Sequence, residues 1–152
     1  MPKVILTNMV MIEDRKNNKV LVQDRIKSYK GYSFPGGHVK GDESFYDSAV
    51  REVKEETGLD VSNLSFCGII HWLNKTNEDR YIVFLYKTHE FKGTLLEKSE
   101  EGRNIWISLD ELVNSPFTNN LVDYLPMFLD KGYGEAFAPY TIEDEIENVF
   151  FK

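Results

Sequence analysis

One cysteine, Cys67, occurs in 152 residues, so the chain has no internal disulfide framework. That scarcity fits a reducing compartment, and a cytoplasmic location is the expectation. Long apolar runs are missing too. The longest unbroken one, residues 81–86, is strand-sized, well short of the roughly 18 residues of a membrane span. The opening Met1-Pro2-Lys3-Val4 lacks the basic-then-apolar pattern of a signal peptide, so neither export nor membrane insertion is expected. There is no repeat, no low-complexity tract and no Gly-, Pro- or Ser-rich linker. Residues 1–152 therefore read as a single domain, long enough to bury about two-thirds of its unfolded surface. Cations are in deficit, 18 Lys and Arg against 25 Asp and Glu, for a net charge of −7. An acidic chain is a poor match for a nucleic-acid polymer, which calls for clustered Lys and Arg.

The charge is unevenly placed. Residues 1–39 hold seven Lys and Arg against three Asp and Glu, a net of +4. Residues 40–60 reverse this, with three against seven and a net of −4. A basic first quarter is thus followed at once by an acidic block.

Residues 4–12 read as a largely buried strand, and a charged turn over residues 13–19 leads to a second strand at 20–23. Phe34-Pro35-Gly36-Gly37 is a loop whose glycines permit a backbone approach that a side chain would forbid. The clearest helix follows. Ser44 and Asp47 fit a capping box, Phe45, Ala49 and Val53 recur as a core face, and Gly58 is placed to end the helix. Residues 65–72 and 81–89 suggest a hairpin, and residues 104–107 a shorter strand. Ser108 or Asp110 can cap a short helix, and residues 121–129 form another, interrupted by Pro126. Past Gly132 only isolated strand-like pieces stand out. Mixed strands and helices indicate an α/β layered domain.

On the strong helix, Glu52, Glu55 and Glu56 stand at i, i+3 and i+4, which places three carboxylates on one face. Like charges so spaced repel each other. A hard divalent cation relieves that repulsion, since it takes carboxylate and water oxygens and commonly arrives with substrate phosphates. A solvated acidic face with Arg51 and Lys54 as neighbours is the plainer reading, but the glycine loop just upstream can bring backbone groups to the same point.

Gly37, Glu43, Arg51-Glu52-Val53, Glu55-Glu56, Gly58 and Leu59 match every fixed position of G-x5-E-x7-R-E-U-x-E-E-x-G-U, with U aliphatic. The chain therefore resembles the Nudix hydrolases, and within them the MutT-like branch. The box covers residues 37–59. The resemblance implies an α/β/α sandwich with a mixed sheet, binding Mg²⁺ or Mn²⁺ and hydrolysing a nucleoside diphosphate linked to another group. Carried over by position, Glu52, Glu55 and Glu56 would ligate the metal, with the Gly36 or Gly37 carbonyl nearby. Arg51 would orient a glutamate through a salt bridge, and Glu43 would support the loop. The general base is left between a box glutamate, Glu55 or Glu56, and a later acidic turn, Glu100-Glu101, which is equally readable as an ordinary turn.

The box is silent on the rest of the substrate. Arg25 and Lys27 can reach phosphates, because a guanidinium fork donates in pairs, or they are simple surface charges. Asn119 and Asn120 lie where MutT-like proteins read a purine with a carboxamide, or they are helix caps. Phe34, Trp72 or Tyr81 can stack on a base, or belong to the core. The leading expectation is a Mg²⁺-dependent nucleoside triphosphate diphosphatase acting on a small nucleotide, with 8-oxo-dGTP in view. ADP-ribose or a nucleotide sugar is the alternative substrate class. A non-catalytic nucleotide sensor is disfavoured by the complete box, and a plain acidic interaction protein would show no metal-dependent hydrolysis.

Overall fold

A computed structural model of the chain describes residues 1–27, 30–117, 121–129, 132–141 and 148–152, with backbone alone at 121 and 122. Its frame is the long strand β1 (Val4–Asp14). β-branched and aromatic residues are frequent in β5 (Ser65–Asn74) and dominate β6 (Arg80–Thr88), as half-buried pleated surfaces favour. β6 pairs parallel with β1 from Val4↔Arg80 to Ile12↔Thr88 and antiparallel with β5. β9 (Glu135–Tyr140) pairs parallel with β5, and the two-residue β10 (Phe150–Phe151) closes that edge. The expected hairpin is present, and the pieces past Gly132 join the same sheet.

On its other side β1 meets β2 (Lys19–Arg25) at only two register pairs, Glu13↔Val20 and Asp14↔Lys19. The strands then part. β2 takes β3 (Gly31–Ser33) on one side and β8 (Gly102–Ser108) on the other. The loop at residues 35–39 pairs along β1 where β2 has left it: Val10 N donates to Pro35 O at 2.9 Å, Asn8 N to Gly37 O at 2.9 Å, and Val39 N to Leu6 O at 3.0 Å. The glycine loop is thereby fixed as part of the sheet.

Helix α1 (Phe45–Thr57) crosses one face. Ser44 Oγ accepts Asp47 N–H at 3.0 Å, and Gly58 ends the helix in the left-handed region at φ 78°, a conformation that favours glycine. Ala49 and Val53 are fully buried against Val10, Ile12 and Leu21. Phe45, expected in the core, is 38% exposed and instead stacks on Phe84. It sits in the first turn, at the rim of the layer. The opposite face is covered by a 3₁₀ turn (Leu109–Asn114), capped by Ser108 as expected, and by α2 (Leu125–Leu129). Residues 121–129 form a 3₁₀ turn, Leu121–Tyr124, followed by α2, rather than one helix. Pro126 falls at the start of α2, where a missing N–H costs little. Leu125, Met127 and Phe128 join Met11, Val20, Ile70 and Leu85 in that second core. A small ladder, β4 (Asp60–Ser62) with β7 (Glu90–Lys92), stands apart. The result is an α/β sandwich built on a mixed sheet.

Candidate active site

Asn8, in β1, ties strand, loop and helix together. Gly37 N–H donates to its Oδ1 at 3.2 Å, its own N–H donates to Gly37 O, and its Nδ2 donates to Ser48 Oγ on α1 at 2.8 Å. The loop lies close against its neighbours at both glycines. A Cβ on Gly36 would stand 2.1 Å from the Asn8 carbonyl oxygen, and one on Gly37 would stand 2.4 Å from Glu52 Cδ. The Glu52 carboxylate thus occupies the space that the missing Gly37 side chain leaves.

Arg51 organises the outer side of this cradle. Its Nε donates to Glu43 Oε2 at 2.9 Å, and its Nη2 donates to Glu43 Oε1 at 2.6 Å and to the His38 carbonyl at 3.1 Å. Its Nη1 reaches Glu52 at 3.0 Å and Glu55 at 3.2 Å. The two-pronged contact with Arg51, helped by Lys40 N–H, holds the Glu43 carboxyl down at about 2, and the same carboxylates raise the guanidinium. A planar fork suits this distribution as an ammonium would not.

Glu56 behaves differently. It faces inward and its Oε2 accepts Gly36 N–H at 3.1 Å. Burial first, and then the neighbouring Glu52 and Glu101 charges, push its carboxyl up to about 8, against the opposing pull of Gly36 N–H and the Gln23 amide. Its backbone is anchored as well, since Asn104 Nδ2 donates to Glu56 O and to Leu96 O, both at 2.9 Å.

Glu100 and Glu101, indistinguishable by sequence, part company here. Gly102 starts β8 tight against β2, where a Cβ would stand 2.1 Å from Asp24 O. Ile26 N–H then donates to Glu101 O at 3.3 Å. Glu101 accordingly faces Glu56 and pairs with Arg25 at 3.4 Å, while Glu100 is exposed. Lys27 is exposed beyond the end of β2. Asn119 and Asn120 lie outside the described residues. Phe34 is 3% exposed and packs on Phe117 and Phe128, so it has no face for a base. Trp72 and Tyr81 are partly exposed, with ring centroids 5.6 Å apart and His38 at 6.4 Å from Tyr81. His71 lies elsewhere on the sheet, between Glu135 at 3.0 Å and Arg80 at 2.7 Å. Asn8, Asn104 and Gln23 carried no signal in the sequence, because their roles come from strands brought together by the fold.

Among the described residues, no three His, Cys, Asp or Glu side chains already converge as a closed metal cage. Arg51 Nη1 instead binds both Glu52 and Glu55. The donor set still fits a divalent cation: hard carboxylate oxygens from Glu52, Glu55 and Glu56 on one helix, an inward-facing Glu56 carboxyl, and a glycine loop that brings backbone groups against Glu52 and Glu56.

The NUDIX domain profile matches residues 5–128. The chain belongs to the Nudix family. A Bacillus subtilis relative, described as the uncharacterized Nudix hydrolase YvcI, is 27% identical over 97% of this chain and 92% of its own length. The 8-oxo-dGTP diphosphatase of Proteus vulgaris is 32% identical over 61% of this chain and 83% of its own length. The fold is that of the mutator MutT protein of Bacillus halodurans, with a TM-score of 0.81, 22% identity and 97% of both chains covered. Family membership makes this a Nudix hydrolase of pyrophosphate bonds in nucleotides, and such enzymes generally use divalent metal ions. No helix among the described residues is long and apolar enough to cross a membrane.

Proposed function

We propose that the chain is a cytoplasmic, Mg²⁺- or Mn²⁺-dependent nucleoside triphosphate diphosphatase that releases a nucleoside monophosphate and pyrophosphate, with 8-oxo-dGTP as the leading substrate. The observation that carries the metal dependence is Glu56, an inward carboxyl raised by burial and by Glu52 and Glu101. Glu52, Glu55 and Glu56 would hold the cation, with the Gly36 or Gly37 carbonyl beside them. Gly37 O already accepts Asn8 N–H, which leaves it one lone pair. A cation there supplies charge neutralisation for the polyphosphate and acidifies water.

The remaining roles fall to the protein's own groups. Arg51 is a positioning residue, holding Glu52 and Glu55 to the box loop through Glu43. Glu101 would take the proton of the attacking water, while Arg25, which pairs with it at 3.4 Å, would donate to phosphate oxygens. Lys27 adds positive charge at the mouth. Trp72 and Tyr81 offer partly exposed rings for the base, and Asn119 and Asn120 are the candidates for its polar edge. The Proteus vulgaris relative favours an oxidised purine triphosphate as the substrate. A panel of nucleotides assayed with Mg²⁺ for monophosphate and pyrophosphate tests the reading. Strong preference for ADP-ribose or a sugar nucleotide over 8-oxo-dGTP overturns the substrate, and hydrolysis unchanged by EDTA overturns the metal dependence.

A further inference from the structure

Ser33, Gln23 and Asn104 stand in one row across three neighbouring strands. Gln23 is the direct register partner of Ser33 on β3 and of Asn104 on β8. Side chains of directly paired residues share a face, and here it is the α1 face. Leu21 and Trp106, two residues along the same strands, pack with the α1-side core. The three side chains are 5%, 1% and 5% exposed. Each holds a polar atom without a hydrogen-bond partner: Ser33 Oγ, Gln23 Nε2 and Asn104 Oδ1.

Buried polar atoms are nearly always paired, so an orphan calls for an explanation. Three adjacent orphans in one row call for a shared one. The row lies beneath Glu56. Asn104 Nδ2 holds the Glu56 carbonyl at 2.9 Å, and Gln23, the register partner of Asn104, is near enough to the Glu56 carboxyl to favour its charged form, while its Nε2 has no hydrogen-bond partner. Gly36 N–H already donates to that carboxyl, at Oε2, over 3.1 Å. An amide kept only for packing would be replaceable by an apolar residue of the same volume.

The geometry points to Gln23 as a positioning residue for Glu56, its Nε2 donating to the Glu56 carboxylate when the cradle holds a divalent cation, with Ser33 and Asn104 completing a polar floor. In that state Glu56 is held between Gly36 N–H and Gln23 Nε2, leaving its remaining lone pairs for the cation. The inference rests on the reading of Glu56 as a metal ligand. Groups that orient metal ligands from behind are worth roughly 10–100-fold in metal affinity.

Gln23→Met keeps the volume and removes the donor. Mn²⁺ titration of the full chain without nucleotide, followed by electron paramagnetic resonance, is expected to show at least tenfold weaker binding. Thermal unfolding in EDTA is expected to show an unchanged or higher Tm, because a buried unpaired donor has been removed. A merely structural amide gives the opposite pair, a lower Tm with Mn²⁺ affinity within twofold of wild type, and that result overturns the inference. Should the variant not fold, the wild type decides. Saturating Mg²⁺ shifts the Gln23 side-chain amide resonance and slows its hydrogen exchange, and an amide that does not respond overturns the inference. A wild-type chain that binds no Mn²⁺ overturns the metal reading itself, an outcome distinct from a wild type and variant that bind equally.

Discussion

A methyl group on Gly37 would stand 2.4 Å from the Glu52 carboxyl carbon, whereas one on Gly36 would stand 2.1 Å from the backbone oxygen of Asn8. The first obstacle is the far end of a flexible side chain and the second is a strand. Gly37→Ala is therefore expected to displace Glu52 and leave stability within about 1 kcal/mol of wild type, while Mn²⁺ binding and turnover fall at least tenfold. Gly36→Ala must push β1 and the loop apart, at a cost of about 2 kcal/mol or more. Urea unfolding beside Mn²⁺ titration of both variants checks the contrast. Equal destabilisation by the two would contradict it.

The Arg51–Glu43 pair makes a pH prediction. Glu43 is held at about 2 in the folded protein by Arg51, below the ordinary carboxyl value of the unfolded chain. Its stabilising contribution is therefore present above about pH 4.5 and is lost as pH falls toward 2. Glu43→Gln should lower Tm at pH 7, with the difference from wild type closing steadily below pH 4.5. Arg51→Lys should also lower kcat/KM, because an ammonium cannot serve Glu43, Glu52 and Glu55 together. A Tm difference that stays constant from pH 7 to pH 3 would show that Glu43 acts by packing alone.

What was legible in the sequence was what is local. The Ser44 cap, the Ala49 and Val53 stripe and the Gly58 stop all lie within one helix, and the spacing of Glu52, Glu55 and Glu56 is fixed by its pitch. β3, β4 and β7 are three residues each, too short for alternation to show. Glu100 and Glu101 differ only through the pairing of β8 with β2, which the sequence does not display. Asn8, Gln23 and Asn104 read as ordinary polar residues in strands, and they acquire meaning only because β1, β2 and β8 bring them against one loop and one helix.

Glu56 reverses the sign of the Glu43 effect. Its folded value of about 8 lies above the unfolded carboxyl value. Between about pH 4.5 and 8 the metal-free folded state therefore holds the extra proton, and stability falls as pH rises through that window. Glu56→Gln keeps the Gly36 hydrogen bond and removes the charge. In EDTA it should match wild type at pH 4.5 and exceed it at pH 9, on the order of a few kcal/mol. Saturating Mg²⁺ should restore the wild type and not the variant, and turnover of the variant should fall by orders of magnitude. A variant less stable than wild type at pH 9 in EDTA would place the Glu56 charge in a favourable setting, contrary to its surroundings.

Arg25 and Glu101 face each other at 3.4 Å, with side-chain exposures of 24% and 40%, while Lys27 and Glu100 are both exposed. The four residues thus split into a pair that meet each other and two that are exposed. Hydrogen bonds to charged groups are worth about 1.5–3 kcal/mol, so Arg25→Ala should lower kcat/KM roughly tenfold to a hundredfold if Arg25 meets phosphate. Lys27→Ala should stay within about twofold at 150 mM salt, where exposed charges are largely screened. A general base contributes about 10²–10⁴ in rate, so Glu101→Gln should lose that much kcat with KM little changed, and Glu100→Gln almost none. The acidic limb of the kcat profile should disappear in Glu101→Gln and persist in Glu100→Gln. If Glu100→Gln is the slower enzyme, or if Glu101→Gln keeps its acidic limb, the base is elsewhere and the Arg25 pair serves only to join β2 to β8.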